Sequence, residues 1–212
     1  MFGARKEGCQ RNSILQLALL GINKSMRLFI AIDFSGLSDY FFELQKQLPK
    51  NAKLSLTKTF HLTLKFLGEV QPDKVEEIYE KLKTIKFSQF NVFLNTVGIF
   101  PSENYIRVVW VGLKPEDKIL ELQESVDVSL KSLFKKENDF KAHITLARVK
   151  FPEDKKQFVQ ELKKIKVKEE KVEIKNFRLV KSTLAAKGPI YEDLAVFNSN
   201  QQFAEVFRNF FK

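Results

Sequence analysis

Two histidines, His61 and His143, are all that this 212-residue chain contains, and each opens the same short pattern. His61-Leu-Thr-Leu and His143-Ile-Thr-Leu both run histidine, aliphatic, threonine, leucine. Histidine titrates nearest neutral pH of any unperturbed side chain, so two matched rings fit an acid and a base. A threonine hydroxyl can donate a hydrogen bond to an anionic oxygen. Both segments are rich in apolar and β-branched residues and read as strands. On a strand, residues i and i+2 share a face. His61 and Thr63 therefore project together, as do His143 and Thr145. Leu62, Leu64 and Phe66 turn the other way, as do Ile144 and Leu146. Two such ring-plus-hydroxyl units facing each other would frame a phosphate.

The same parity sorts the neighbours. Lys65 falls on the histidine face and is a candidate phosphate contact. Arg148 falls on the opposite face, where it would form a salt bridge, unless the strand bulges and returns it to the cleft. Tyr191, after Gly188-Pro189, is either a base-stacking ring or a core residue. Phe60 and Trp110 read as packing residues. A zinc site needs three or four ligands, and two histidines with one cysteine, Cys9, do not supply them. No metal or cofactor is expected.

The elements that must hold these units are legible from periodicity. Arg27 to Phe34 reads as a buried strand, and Ser35 to Leu48 as a helix with Leu37, Phe41, Leu44 and Leu48 at helical spacing. Lys53 to Thr57 is a short extended piece, and Phe60 to Leu67 is the first motif strand. A helix begins at Pro72, with Val75, Ile78, Tyr79 and Leu82 on one face. Phe90 to Ile99 and Tyr105 to Gly112 form two strands about a turn at residues 101–104. Pro115 opens a helix striped by Ile119, Leu122, Val126 and Leu130. Lys141 to Val149 is the second motif strand, and Pro152 opens another helix. Val172 to Ser182 and Tyr191 to Phe197 are strands about a loop, Ala185 to Pro189. The motifs lie 82 positions apart, near half the length after Met26. Two similar α+β lobes related by a pseudo-twofold axis would each supply one motif strand.

Composition bounds the setting. The net charge is +10, which suits a polyanionic partner or merely solvated lysine faces. One cysteine gives no intrachain disulfide and points to a reduced compartment, the cytoplasm. Residues 1–25 are basic at Arg5, Lys6 and Arg11, then apolar from Ile14 to Ile22. That run is shorter than the ~20 residues of a membrane span. We expect an extension or a misplaced start, with Met26 as the functional beginning, ahead of an accessory helix or a signal peptide. Residues 26–197 form the two-lobed domain. Residues 198–212, with Phe203, Val206, Phe207 and Phe210 at helical spacing, form an amphipathic helix expected to dock on it.

His61-Leu-Thr-Leu-Lys-Phe-Leu-Gly68 and His143-Ile-Thr-Leu-Ala-Arg-Val149 resemble the paired signatures of the two-histidine phosphoesterases. More narrowly they resemble the RNA 2′,3′-cyclic phosphodiesterases, also called 2′-5′ RNA ligases. Met26-Arg-Leu-Phe-Ile-Ala-Ile-Asp33 and Arg107-Val-Val-Trp-Val-Gly112 resemble that family's first and middle strands. Ala142 stands where the family commonly has proline. The resemblance implies a bilobal α+β fold, with two antiparallel sheets around a V-shaped cleft and helices outside. It implies His61 as general acid, His143 as general base, and Thr63 and Thr145 on the phosphate oxygens. Lys65, Arg148 and Tyr191 complete the candidate substrate-binding set. The implied reaction opens a 2′,3′-cyclic phosphate to a 2′-phosphate without a metal. The expected partner is RNA with such an end, a tRNA fragment or a nucleotide, and the expected enzyme is a monomer. The alternatives are 2′-5′ ligation, a non-catalytic RNA- or nucleotide-binding module, and cyclic-phosphate chemistry on small metabolites.

Overall fold

The apolar alternation that begins at Met26 builds one half of a sheet whose two halves barely touch. The structure, a computed structural model, describes residues 24–186 and 188–199. In chain order the elements are β1 (Met26–Asp33), α1 (Ser38–Lys46), β2 (Ala52–Leu56), β3 (His61–Val70) and α2 (Val75–Lys83). Then come β4 (Phe90–Ser102), β5 (Tyr105–Lys114), α3 (Asp117–Leu130), β6 (His143–Pro152) and α4 (Lys155–Leu162). The last are β7 (Lys171–Ile174), β8 (Asn176–Ala185) and β9 (Gly188–Asn198). Strand order is β7-β4-β5-β6-β3-β1-β8-β9, with β2 added beside β6, and every pairing is antiparallel.

The two motif strands, β3 and β6, meet at the centre through one residue pair, Leu62 opposite Ile144. That single bridge divides the strands into two antiparallel lobes, the α+β bilobal arrangement expected. Leu62 and Ile144 occupy the same position in the two motifs. A pseudo-twofold axis therefore passes between them and exchanges β1 with β5, β8 with β4, and β9 with β7. The halves also trade strands: β4 follows the first motif yet pairs with β5, and β8 follows the second yet pairs with β1.

Each lobe buries the face away from the histidines under helices. Leu62, Leu64, Ile144 and Leu146 are buried there with Phe41 and Leu44 of α1, Ile78 and Leu82 of α2, and the whole α3 stripe. α4 starts cleanly because Asp154 accepts from the Gln157 backbone N–H at 3.0 Å.

Three sequence expectations shift. The stretch from Val172 to Ser182 is two strands broken at Lys175, because its first part pairs with β4 in one lobe and its second with β1 in the other. The apolar alternation changes phase at the break, from Val172 and Ile174 to Phe177 and Leu179, a signal that the single-strand reading passed over. Ala185 to Pro189 is largely the end of a hairpin, with Leu184 opposite Pro189. The helix expected from Ser35 opens as a 3-10 turn, Ser35–Leu37, before α1. The proposed extension and docking helix fall largely outside the described residues.

Candidate active site

Antiparallel pairing about the central bridge sets His61 beside Thr145 and Thr63 beside His143. All four side chains are half-buried on one face, while Leu62, Leu64, Ile144 and Leu146 fill the other. Two rings and two hydroxyls thus share one patch at the junction of the lobes.

The strands then break parity. Leu64 has no partner in β1, and Leu146 has none in β5: Ala31 pairs with Thr63 and Ile30 with Lys65, while Trp110 pairs with Thr145 and Val109 with Ala147. One extra residue at each motif leucine is a β-bulge, which reverses the faces of the residues after it. Lys65 and Ala147 become buried, and Phe66 and Arg148 become exposed. Lys65 therefore lies away from the cleft, contrary to its strand parity. Its ammonium lies on the helix side, paired with Asp127 of α3, and donates to the Lys135 carbonyl at 2.6 Å. Arg148 comes to the histidine face, and its charge acts on both His61 and Tyr191. The signal was present in the sequence. Apolar residues stand at i+1, i+3 and i+6 after each histidine (Leu62, Leu64, Leu67; Ile144, Leu146, Val149), and the last gap is odd.

Each ring is held between aromatics from its own lobe. His61 lies 5.1 Å from Phe29 and 5.2 Å, edge-on, from Tyr191. His143 lies 4.8 Å, edge-on, from Phe100 and 6.3 Å from Trp110. Trp110 is thus more than core packing; Phe60 is buried as expected. Gly98 lies opposite Trp110, where a Cβ would come within 2.2 Å of the indole. Phe29, Ala31 and Val180 form a small buried cluster with Tyr191 beneath His61.

The two histidines have unequal surroundings. Burial drives the His61 pKa down to about 4; nearby Asp33 opposes the shift, while His143 and Arg148 add to it. Burial also lowers His143, opposed by its hydrogen bond with the Lys141 carbonyl at 2.7 Å. That bond sets Nδ1 as the donor and leaves the Nε2 lone pair free. Burial raises the Tyr191 phenol, so it is neutral near pH 7. Beside His61 lies a cavity of about 300 Å³ lined by Asp33, Lys58, Arg178, Tyr191 and Asp193. Arg178 bridges Asp33 at 3.1 Å and Asp193 at 2.7 Å. Asp33 and Arg178 were not singled out in the sequence. Asp33 was findable, since it shares strand parity with Phe29 in β1. Arg178 depends on the β1–β8 pairing. Among the described residues no cluster of three or more His, Cys, Asp or Glu side chains could hold a metal ion, and no helix is long and apolar enough to cross a membrane.

The family model described as LigT like phosphoesterase matches twice, over residues 34–110 and 111–191, with one histidine motif in each match. An RNA 2′,3′-cyclic phosphodiesterase of Archaeoglobus fulgidus is 39% identical over 178 residues, covering 81% of this chain and 99% of the relative. One of Methanocaldococcus jannaschii is 38% identical over 171 residues, covering 79% and 97%. The crystal structure of TT0787 of Thermus thermophilus superposes with a TM-score of 0.68 at 26% identity, covering 84% of this chain and all of that one. Escherichia coli LigT complexed with 3′-AMP shares the fold, with a TM-score of 0.65 at 22% identity, covering 84% of this chain and all of that one.

Proposed function

The chain belongs to the LigT-like phosphoesterase family and is a cyclic phosphodiesterase, and on that premise we propose that it hydrolyses terminal 2′,3′-cyclic phosphates of RNA to 2′-phosphates by paired histidine catalysis. The observation that carries the reading is the antiparallel pairing of two His-x-Thr strands, which sets both rings and both hydroxyls on one face at the junction of the lobes. The A. fulgidus and M. jannaschii relatives bear the name of this activity. Both histidines come from one chain, so a monomer suffices, and the single cysteine suits a cytoplasmic setting.

His143 is the base in this scheme. Its Nδ1–H is engaged by Lys141, so Nε2 can take a proton from water as the water oxygen bonds to phosphorus. The P–O3′ bond breaks, and O3′ takes a proton from His61, leaving the 2′-phosphate. Asp33 is the carboxylate that favours charge on His61, and among the described residues no carboxylate does the same for His143. Thr63, Thr145 and Arg148 meet the non-bridging oxygens as preorganised donors, and Tyr191 stacks on the terminal base. In the ligand-free protein both rings are neutral at pH 7. A phosphate anion between them favours a protonated ring, because an opposite charge within ~4–6 Å does so, and Asp33 directs that proton to His61 while His143 stays neutral. Proton uptake therefore accompanies substrate binding.

The test is product identification. An oligoribonucleotide ending in a 2′,3′-cyclic phosphate is incubated with the protein in EDTA, and the product is read by phosphorus NMR. A 2′-phosphomonoester is expected. A 3′-phosphate, or no product until metal is added, overturns the proposal. Ligated 2′-5′ product as the main species would replace hydrolysis with the reverse chemistry.

A further inference from the structure

The bulges raise a question the histidines do not answer: what holds an unpaired residue out of register in the middle of each catalytic strand? In both halves it is one side chain from a helix. Gln45 of α1 is buried and donates its amide to two carbonyls, Leu146 at 2.8 Å and Thr57 at 2.7 Å. Leu146 is the bulged residue of β6, and its carbonyl also accepts from the Thr57 backbone N–H at 2.9 Å. Asp127 of α3 pairs with Lys65, the residue just after the bulge of β3. Gln45 stands 16 positions before His61, and Asp127 stands 16 before His143. The pseudo-twofold axis thus relates the two ties. Each runs from the helix of one half to the motif strand of the other.

We infer that Gln45 is a positioning residue for the reaction, which holds the Leu146 bulge and thereby presents Arg148 to the cleft. Strand parity makes the consequence discrete. With the bulge, Ala147 is buried and Arg148 shares the face of His143 and Thr145. Without it, a one-residue slip sends Arg148 to the opposite face. Gln45 gives the bulged Leu146 carbonyl a second donor beside the Thr57 N–H and gives the Thr57 carbonyl another, and a buried carbonyl that loses a donor is costly. Met has nearly the same shape and no donor. The inference rests on the reading of Arg148 as a phosphate contact.

The experiment is a double-mutant cycle on the full chain, with an oligoribonucleotide ending in a 2′,3′-cyclic phosphate as the probe. Arg148→Ala is expected to raise KM by ~10–100-fold, the range of a hydrogen bond to a charged group. Gln45→Met is expected to raise KM by at least ~5-fold, with a smaller change in kcat. The double variant is expected to match Arg148→Ala within ~2-fold, because Gln45 acts through the arginine. The His61 titration, followed by NMR, should move upward in both single variants as the arginine charge leaves. The shorter Gln45→Asn retains the amide but reaches less far. It gives a smaller change of the same kind and serves if the Met variant does not fold. Effects that multiply in the double variant overturn the inference, as does a normal KM in Gln45→Met or in a folded Gln45→Asn used in its place. A normal KM in Arg148→Ala removes the reading of the cleft as well. A raised KM in Arg148→Ala beside a normal one in Gln45→Met removes the inference alone.

Discussion

Replacing Lys65 with Met decides between a lysine in the cleft and a lysine in the core. The side chains of Lys65 and Asp127 are 3% and 2% exposed. Lys65 donates to Asp127 and to the Lys135 carbonyl, while Gln123 and the Glu137 amide donate to the other Asp127 oxygen at 2.6 and 3.1 Å. Burial alone would raise the Asp127 carboxyl; hydrogen bonds from Lys65, Gln123 and Glu137 outweigh it and hold the group low. Lys65→Met leaves that carboxylate buried without its cation. Removing one partner of a buried pair costs ~3–5 kcal/mol, and the two surviving donors place this case near the lower end, about 3 kcal/mol. At ~2–4 °C per kcal/mol for a protein of this size, the melting temperature falls by ~6–12 °C. The double variant Lys65→Met with Asp127→Leu removes the orphaned charge and recovers at least half of the loss. The pH dependence has a definite sign. A depressed carboxyl stabilises the fold above its unfolded value of ~3.9 and loses that contribution as pH falls through its folded value. The gap between wild type and Lys65→Met therefore narrows in acid. Thermal unfolding from pH 7 down to pH 3 measures all of this. A melting temperature unchanged within ~1 °C, together with a raised KM, would place Lys65 at the substrate and refute the bulge in β3.

The same geometry sets four further outcomes. Because burial lowers both free histidines, His61 to about 4, the kcat/KM optimum should lie on the acid side of the ordinary histidine value of 6.5; an optimum above pH ~7.5 contradicts the burial argument. The kcat optimum should lie higher, since bound phosphate raises the ring that must be charged, and a pH–rate series separates the two profiles. Gly98→Val drives a branched side chain into Trp110 and should cost ~1–3 kcal/mol, with kcat reduced through the displaced His143 neighbour; denaturant unfolding and steady-state kinetics check both. Asp154→Ala removes the cap of α4 and should cost ~1 kcal/mol with kcat unchanged, which urea unfolding and the RNA assay read together.

The grouping of His61, Thr63, His143 and Thr145 was legible because its information is local: residue type and a period of two fix which side chains share a face. The lobes were readable from the repeat of the motif at half the chain. What strand parity missed has its cause in partner strands, although the odd last gap of each apolar pattern marks the break in the sequence. Lys65 and Arg148 exchange faces because Leu64 and Leu146 lack partners in strands distant in sequence. Asp33 stands opposite His61 through the pairing of β1 with β3, and Arg178 reaches the His61 cavity through that of β1 with β8, which no window of sequence contains. The split of Val172 to Ser182 arises because its two parts pair with strands in different lobes.

The central claim is that His61 and His143 move protons at one phosphate. His61→Asn and His143→Asn, each checked for native folding, should be assayed in EDTA under single turnover on RNA ending in a 2′,3′-cyclic phosphate. Loss of one acid or base costs roughly 10²–10⁴-fold, and each variant should fall by that much while still binding the RNA end. A variant of either histidine that turns over within ~10-fold of wild type contradicts the account.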